Sequence, residues 1–307
     1  MENDFRKLKV AILGSGNIGT DLLIKVLRSP VLDCSFFIGR NLSSPGITKA
    51  KTLGVRVSDR SIDAILSEPD SCDLVFDATS AKDHLHHWPI LKKLGKIVID
   101  MTPSKVGKMI IPAINLNDIN NYRNVNMISC GGQASIPLAF ALTQANKDIR
   151  YIEVVSSIAS KSAGPATRIN LDEYIENTEE GIRVFSGCKN VKAILILNPA
   201  DPPIDMQTTI SAKLPNSDIS KIKSNIADME KKIQKYVPGY KIVVHPVYES
   251  NRVVIMVRTR GLGDYLPRYA GNLDIINCAA IATAEEYAKQ FNPYSGVQKL
   301  EEICRKF

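Results

Sequence analysis

The sequence has no C-x-x-C pair, few aromatic residues, no basic block and no apolar run long enough to span a bilayer. Its six cysteines are scattered, which argues against a disulfide framework and a structural zinc site, and we expect no metal centre. Aromatic residues make up 6% of the chain but hydrophobic residues 44%, so an aliphatic core is expected.

The positive charge also lacks a pattern that would bind nucleic acid. The formal net charge of +7 is spread along the chain and is not interleaved with aromatic residues. The first residues carry mixed charges and no apolar leader segment, and no stretch has the length of a membrane span. We therefore expect a cytoplasmic protein that binds neither nucleic acid nor a membrane.

A glycine-rich loop follows the first apolar strand, residues 8–13, and precedes a helical pattern over residues 20–28. Glycines at a strand-to-helix junction allow a tight turn and a close approach of a pyrophosphate to the helix N-terminus. The alternative is a plain glycine turn. This position favours a dinucleotide-binding loop formed by Gly14, Ser15, Gly16, Asn17, Ile18 and Gly19.

The second strand, residues 35–39, ends where an NAD enzyme usually places an acid for the adenosine ribose. Here Arg40 and Asn41 occupy that place. Asn41 can bond a ribose hydroxyl, and Arg40 can accommodate a 2′-phosphate, although Arg40 also fits a plain surface charge. The expected cofactor is NAD, with NADP as the alternative.

Two further apolar strands, residues 72–77 and 96–100, are separated by a helical stretch. Strand, helix and strand at this spacing predict a doubly wound parallel sheet, with ligands at the carboxyl ends of its strands. Thr79 and Ser80 are candidates to line that cleft. Three histidines in the intervening helix, His84, His86 and His87, fit a solvated helix start better than a metal cluster.

Cys130 lies between an apolar run, residues 124–128, and a helical pattern. Unpaired N–H groups and the helix dipole at such a position favour the thiolate. Cys130 is therefore a candidate nucleophile, with an oxyanion hole from N–H groups around Cys130 and Gly131. The alternative is a small buried cysteine.

The second half of the chain alternates helices with strands and predicts an α+β domain. The polar loop over residues 160–168 contains Lys161 and Arg168, which could bind an anion or be surface charges. We expect a dinucleotide-binding domain over residues 1–130, completed by a C-terminal helix over 272–307, and a catalytic and dimerisation domain over 131–271.

A nucleotide-binding fold with an activated cysteine at the domain junction predicts aldehyde oxidation. The thiolate adds to the aldehyde, hydride passes to a nicotinamide, and the thioester is transferred to an acceptor that these residues leave open.

Five motifs match one family pattern: the glycine loop, Phe76-Asp77-Ala78-Thr79-Ser80, Ser129-Cys130-Gly131-Gly132-Gln133-Ala134, the segment 157–165 and Tyr269-Ala270-Gly271-Asn272-Leu273-Asp274-Ile275. On these motifs the chain resembles the acylating acetaldehyde dehydrogenases of aromatic meta-cleavage pathways nearly from end to end. The resemblance implies the architecture of glyceraldehyde-3-phosphate dehydrogenase, a Rossmann-type sheet with an α+β second domain. It also implies acetaldehyde or propanal as substrate, NAD, and coenzyme A as acceptor.

The resemblance further implies a 4-hydroxy-2-oxovalerate aldolase as partner and a homodimer or a heterotetramer with it. Carried over by position, Cys130 is the acyl-thioester nucleophile, and residues 15–18 contact NAD. The other implied NAD contacts are Ser162, Ala163, Gly164, Pro165, Ala166, Thr167, Arg168, Ile169, Asn170 and Asn272.

Three departures from the family pattern are present. Gly39-Arg40-Asn41 replaces the Gly-Ile-Asp of many relatives, an acid is missing about where Gln207-Thr208 falls, and Ala166 replaces a glycine. Two competing interpretations remain: a semialdehyde or acyl-phosphate reductase of similar architecture, or a non-catalytic Rossmann subunit that regulates an aldolase. The reductases pair a histidine base with the cysteine, and no histidine here is an obvious partner.

Overall fold

A computed structural model describes residues 6–291 of the chain, and its first part forms a parallel sheet of seven strands. The elements of this part are β1 (Leu8–Leu13), α1 (Asn17–Arg28), β2 (Leu32–Ile38), α2 (Pro45–Thr52), β3 (Val57–Ser58), α3 (Asp63–Ser67), β4 (Leu74–Asp77), α4 (Ala81–Lys93), β5 (Ile97–Asp100), β6 (Lys108–Met109), α5 (Pro112–Asn115) and β7 (Asn124–Asn126).

The strand order is β3-β2-β1-β4-β5-β7-β6, and every pair of neighbours is parallel. Strands β1, β4 and β5 are almost completely buried because helices cover both faces, which explains their continuous apolar sequences. The order reverses between β1 and β4, so their carboxyl ends border the crevice where such folds bind ligands. The predicted doubly wound sheet is confirmed.

The second part forms a five-stranded mixed sheet in the order β11-β12-β10-β8-β9. Its elements, with the final helix, are α6 (Cys130–Ala145), β8 (Tyr151–Ala159), α7 (Pro165–Ile169), α8 (Leu171–Ser186), β9 (Val191–Asn198), β10 (Met206–Lys213), α9 (Ile219–Gln234), β11 (Tyr240–Glu249), β12 (Arg252–Thr259) and α10 (Gly271–Phe291).

Buried and partly exposed residues alternate along β8, β10 and β12, so only one face of this sheet is covered. Helices α6, α8 and α9 pack on the covered face, where Ile152, Ile210 and Ile255 contribute to one aliphatic core. The apolar stripe of α9 packs into that core, and Asp218 caps its N-terminus as the sequence indicates. The α+β second part is thus confirmed.

Helix α10 returns to the first sheet. Ile276, Ala280 and Tyr287 join the core formed by strands β1 and β4. The sequence predicts a helix over residues 272–307, of which residues 292–307 lie outside the described part. Within residues 6–291, no helix combines the length and apolarity needed to cross a membrane.

Candidate active site

The glycine loop joins β1 to α1 at the carboxyl edge of the first sheet. Gly14 has a φ of 119°, and a Cβ there would lie 2.4 Å from the carbonyl oxygen of Ala78, so the turn requires glycine. Gly16 is the N-cap of α1 and has no side-chain cap, and the space beside it is open. The N–H groups of Asn17 and Ile18 therefore begin a helix that is open to an anionic ligand.

Cys130 is the first residue of α6, as predicted, because Ser129 caps this helix. The Ser129 Oγ accepts a hydrogen bond from the Gly132 N–H at 2.9 Å. Directly before it, Ile128 has a φ of 67°, a strained conformation for a β-branched residue. The Asn126 side chain accepts from the Ile128 N–H, and the Asn177 side chain donates to the Ile128 carbonyl, each at 2.8 Å. These bonds hold the turn that directs Cys130.

The Cys130 thiol lies at 3.4 Å from the hydroxyl of Tyr174 on α8. Burial raises the pKa of Cys130 above its usual value, while the Tyr174 hydroxyl and the Gly131 N–H act to lower it. Desolvation of the charge is therefore the larger effect on this pKa, and it opposes the backbone N–H groups that favour the thiolate. The hydrogen-bond donors around the sulfur offset only part of it.

The predicted oxyanion hole also needs correction. The Gly131 N–H donates to the Tyr174 hydroxyl at 2.9 Å, and the Gly132 N–H donates to Ser129. Neither N–H is available to a substrate oxygen in this arrangement. The N–H of Cys130 itself remains as a backbone donor beside the sulfur.

A cavity lies between the glycine loop, the Cys130 turn, α8 and α10. Predicted site residues that line it together are Ile18, Thr79, Ser80, Cys130, Thr167, Asn170 and Asn272. The remaining lining residues are Met101, Thr102, Pro103, Ile128, Ser129, Tyr174, Leu273 and Ile276.

Asn272 is buried at the start of α10 and borders this cavity. Among the described residues its Oδ1 has no hydrogen-bond partner, although a buried polar atom normally has one. An amide donor of a ligand would satisfy it, and the carboxamide of a nicotinamide ring is such a donor. The open helix start at Gly16 therefore fits the pyrophosphate of a nicotinamide dinucleotide, and this acceptor fits its nicotinamide end.

Several predicted cofactor residues lie away from the cavity. Arg40 is exposed beyond the end of β2. The Ser162 hydroxyl bonds the Ala159 carbonyl, and the Arg168 guanidinium bonds Ser160 and the Ala163 carbonyl, so these polar groups brace their own loop. Ile169 is 79% exposed. Ala163 is buried, Gly164 precedes α7, and Pro165 and Ala166 form the start of that helix.

Lys161 does not offer a free charge either, since its ammonium pairs with Asp201 at 3.2 Å. Both side chains are exposed, so the pair adds little stability.

The sequence predicts a solvated helix start for three histidines, but two of them are buried. His84 and His87 each contact the carboxylate of Asp77 at 3.0 Å, while His86 is exposed. Burial acts to raise the pKa of Asp77, but the bonds from the two imidazoles lower it to about 2. Amphipathic patterning missed this site because a polar helix face here packs on the polar carboxyl ends of β4 and β5.

The network continues to Asp100, whose pKa burial raises to about 6. Asp100 accepts bonds from Ser104, from the Thr102 N–H and from the Asn126 side chain. Since the Asn126 side chain also bonds the Ile128 N–H, this buried network stabilises the turn directly before Cys130. No imidazole of the described residues contacts the sulfur.

A second buried polar cluster ties α1 to α10. The Lys25 ammonium lies 2.8 Å from Asp21, 2.7 Å from Asp264 and 2.8 Å from Asp274, and all four side chains are nearly inaccessible. Burial acts to lower the pKa of Lys25, but the carboxylates of Asp274 and Asp21 more than offset this and raise it well above its usual value. The three acids could hold a cation by geometry, and the ammonium is that cation.

The fold and the cleft define a two-domain dehydrogenase with a dinucleotide-binding sheet and a cysteine at the junction. Residues 9–122 match the family model described as semialdehyde dehydrogenase, NAD binding domain, and residues 130–267 match prokaryotic acetaldehyde dehydrogenase, dimerisation.

Curated relatives give the narrower family. The chain is 59% identical over 284 residues to an acetaldehyde dehydrogenase of Spirochaeta aurantia, covering 92% of this chain and 96% of that one. It is 57% identical over 287 residues to that of Pectobacterium atrosepticum, covering 93% and 97%. The chain therefore belongs to the acetaldehyde dehydrogenase family and is an oxidoreductase.

Solved structures agree on the fold. Aspartate semialdehyde dehydrogenase II of Vibrio cholerae superposes with a TM-score of 0.60 at 14% identity, covering 92% of this chain and 98% of that one. Aspartate semialdehyde dehydrogenase of Candida albicans, solved with NADP, gives a TM-score of 0.63 at 10% identity, covering 91% and 99%.

Proposed function

We propose that this protein oxidises acetaldehyde, or a short homologue such as propanal, to the acyl-CoA with NAD and coenzyme A through a thioester on Cys130. The observation that carries the proposal is one cavity that the Cys130 thiol, the buried Asn272 oxygen and Ile18 of the glycine-loop helix all border. A covalent nucleophile and a dinucleotide site therefore face the same space.

The reaction starts when the Cys130 thiolate attacks the aldehyde carbon. A carbon–sulfur bond forms, and the carbonyl electron pair moves to oxygen beside the Cys130 N–H. The resulting alkoxide then loses its carbon-bound hydrogen as hydride while the oxygen electron pair re-forms the carbonyl, which leaves a thioester. A bound nicotinamide supplies the hydride acceptor. Attack by the coenzyme A thiolate on the thioester carbon releases the acyl-CoA and restores Cys130.

The surroundings of the sulfur favour this mechanism over that of a reductase with a histidine base. Among the described residues, the groups in contact with the sulfur are a hydroxyl and backbone N–H groups. His84 and His87 are bonded to Asp77, and His245 lies on β11 of the second sheet. A thiol depends less on a base than a hydroxyl does, because even a small thiolate fraction is strongly nucleophilic.

The cofactor choice depends on the loop after β2. No acid stands there, and exposed Arg40 is followed by Asn41, whose Oδ1 already accepts from the Ser43 N–H at 2.9 Å and from the Ser43 hydroxyl. The loop thus has donors for a ribose hydroxyl or a 2′-phosphate and no repulsive carboxylate. We propose NAD as the cofactor with NADP also accepted.

A spectrophotometric assay tests the proposed function. Acetaldehyde is incubated with either nicotinamide and with coenzyme A or inorganic phosphate, and reduced cofactor and acyl product are followed. We expect reduction that requires coenzyme A and yields acetyl-CoA. Reduction supported by phosphate would indicate the acyl-phosphate reductase, and no reduction of either cofactor with any aldehyde would indicate the non-catalytic subunit.

The uncovered face of the second sheet supports a dimer. An apolar row crosses it through paired residues of all five strands: Ile194, Val155, Thr209, Met256 and Val244. None of these residues is buried, and Ile194 is 38% exposed. We propose that residues 131–271 form the catalytic and dimerisation domain, that residues 1–130 with α10 form the dinucleotide-binding domain, and that two copies pair through this face.

Sedimentation tests the dimer. We expect twice the chain mass for the wild type and dissociation in Ile194→Lys, because a buried unpaired charge opposes association. Leu85→Lys, at an equally apolar and 56% exposed position on α4, is the control and keeps the dimer. A monomeric wild type would contradict the proposal.

The further partner, a 4-hydroxy-2-oxovalerate aldolase, is proposed on the family resemblance and is tested by co-purification of the two proteins.

A further inference from the structure

A line of buried hydroxyl groups leads from the second sheet to the Cys130 sulfur. Thr208 on β10 and Ser156 on β8 are cross-strand neighbours, and their hydroxyl oxygens lie 3.0 Å apart. The Ser156 and Tyr174 hydroxyls both lie beside Gly131, and the Tyr174 hydroxyl lies 3.4 Å from the Cys130 sulfur. Thr208 and Ser156 are buried, and Tyr174 is 9% exposed.

The direction of donation along this line follows from its far end. Among the described residues, the Thr208 hydroxyl has no hydrogen-bond partner other than Ser156, so its proton is placed only by donating to the Ser156 oxygen. The Ser156 proton is then free to point towards the neighbouring Tyr174 hydroxyl. The Tyr174 oxygen accepts the Gly131 N–H at 2.9 Å, so its single proton is free to be donated to the sulfur.

The backbone beside the sulfur is shaped for this tyrosine. A Cβ at Gly131 would lie 2.3 Å from the Tyr174 hydroxyl oxygen and 3.1 Å from the Ser156 Oγ. Only glycine at this position leaves room for both hydroxyls. Burial raises the pKa of Tyr174 well above its usual value, as does the neighbouring Cys130, so the phenol stays protonated and remains a donor.

We propose that Tyr174 is the hydrogen-bond donor that stabilises the Cys130 thiolate, and that Ser156 and Thr208 are positioning residues that orient its hydroxyl. This inference rests on the proposed role of Cys130 as nucleophile. The inference also assigns a positioning role to Thr208. This residue lies about where many relatives carry an acid that this sequence lacks. A neutral chain of donors there supports the thiolate without a second negative charge nearby.

The test measures ionisation of Cys130 separately from turnover. Full-length protein is alkylated with iodoacetamide over a range of pH, and modification of the Cys130 peptide is followed by mass spectrometry. In Tyr174→Phe we expect the alkylation midpoint to rise by about one pH unit, with roughly tenfold slower modification near neutral pH, because a hydrogen bond to the thiolate is lost. Thr208→Val, which removes only the far donor, is expected to shift the midpoint in the same direction by less.

Tyr240→Phe is the matched control. It removes a buried hydroxyl that donates to the Ala134 carbonyl of α6 at 2.7 Å but does not reach the sulfur, so the midpoint should not move. An unchanged or lower midpoint in both Tyr174→Phe and Thr208→Val would overturn the proposal, as would an equal shift in Tyr240→Phe. If Cys130 were not the nucleophile, Cys130→Ser would keep full turnover while the midpoint still shifted in Tyr174→Phe. Failure of the proposed function is therefore distinguishable from failure of the proposal for Tyr174.

Discussion

Cys130→Ser is expected to lower kcat/KM for acetaldehyde-dependent cofactor reduction by roughly 10³-fold or more, with cofactor binding near the wild-type level. A serine hydroxyl needs a base to become nucleophilic, and no imidazole or carboxylate among the described residues contacts this position. Steady-state kinetics with coenzyme A, together with fluorescence titration of the reduced cofactor, provide the measurement.

Cys188→Ser is the control for this prediction. Cys188 is also buried and makes only a local contact, from its thiol to the Asn190 carbonyl at 3.4 Å. The same sulfur-to-oxygen change there should leave kcat/KM close to that of the wild type. Turnover of Cys130→Ser within tenfold of the wild type would exclude a covalent mechanism at this residue.

Lys25→Met is expected to reduce the free energy of unfolding by about 3–5 kcal/mol, the usual consequence of removing one partner from a buried ion pair. The ammonium is the common partner of Asp21, Asp264 and Asp274, which belong to α1, the loop before α10 and α10. Without it, the desolvated carboxylates of Asp21 and Asp274 lose their cation and repel one another, while Asp264 keeps its pair with Arg28, at the junction that places the glycine loop beside Asn272. Thermal denaturation measures the loss, and it should lower Tm by roughly 10 °C.

Lys49→Met makes the same chemical change at an exposed position of α2 and should alter stability by no more than about 0.5 kcal/mol. A loss below about 1 kcal/mol in Lys25→Met would contradict this account of the cluster.

Much of the fold follows from local patterns. The apolar strands of the first sheet, the glycines after β1 and the apolar run before Cys130 act within a few residues, so the sequence alone predicts β1, α1 and the start of α6. The order of strands follows from the general rules for such units. The burial of His84 and His87 could not be predicted from the sequence, because the pattern does not show that other polar groups cover this polar helix face.

The candidate site was predictable only in part. Cys130, Thr79 and Asn272 are recognisable because each stands at the end of an element facing the carboxyl edge of the sheet. Tyr174 was missed because its contact with the sulfur joins residues 44 positions apart, and nothing within α8 distinguishes it from a core tyrosine. The one available signal was Gly131 directly after the cysteine, which leaves space for a side chain from elsewhere.

The pairs of Lys25 illustrate the same limit more strongly. Two of its three partners are 239 and 249 residues away in sequence, and a lysine in an amphipathic helix ordinarily predicts a solvated face. The acceptor, the aldolase partner, the pathway and the cellular compartment are not encoded in these contacts, and they stay predictions.

Trapping of the acyl-enzyme tests the central claim most directly. The protein is mixed with acetaldehyde and oxidised NAD in the absence of coenzyme A, quenched in acid, digested and analysed by mass spectrometry. We predict one acetyl group on the peptide that contains Cys130, formed together with one equivalent of reduced cofactor and removed when coenzyme A is added before the quench. Rapid turnover with Cys130 unmodified, or an acetyl group on another residue, would contradict the account.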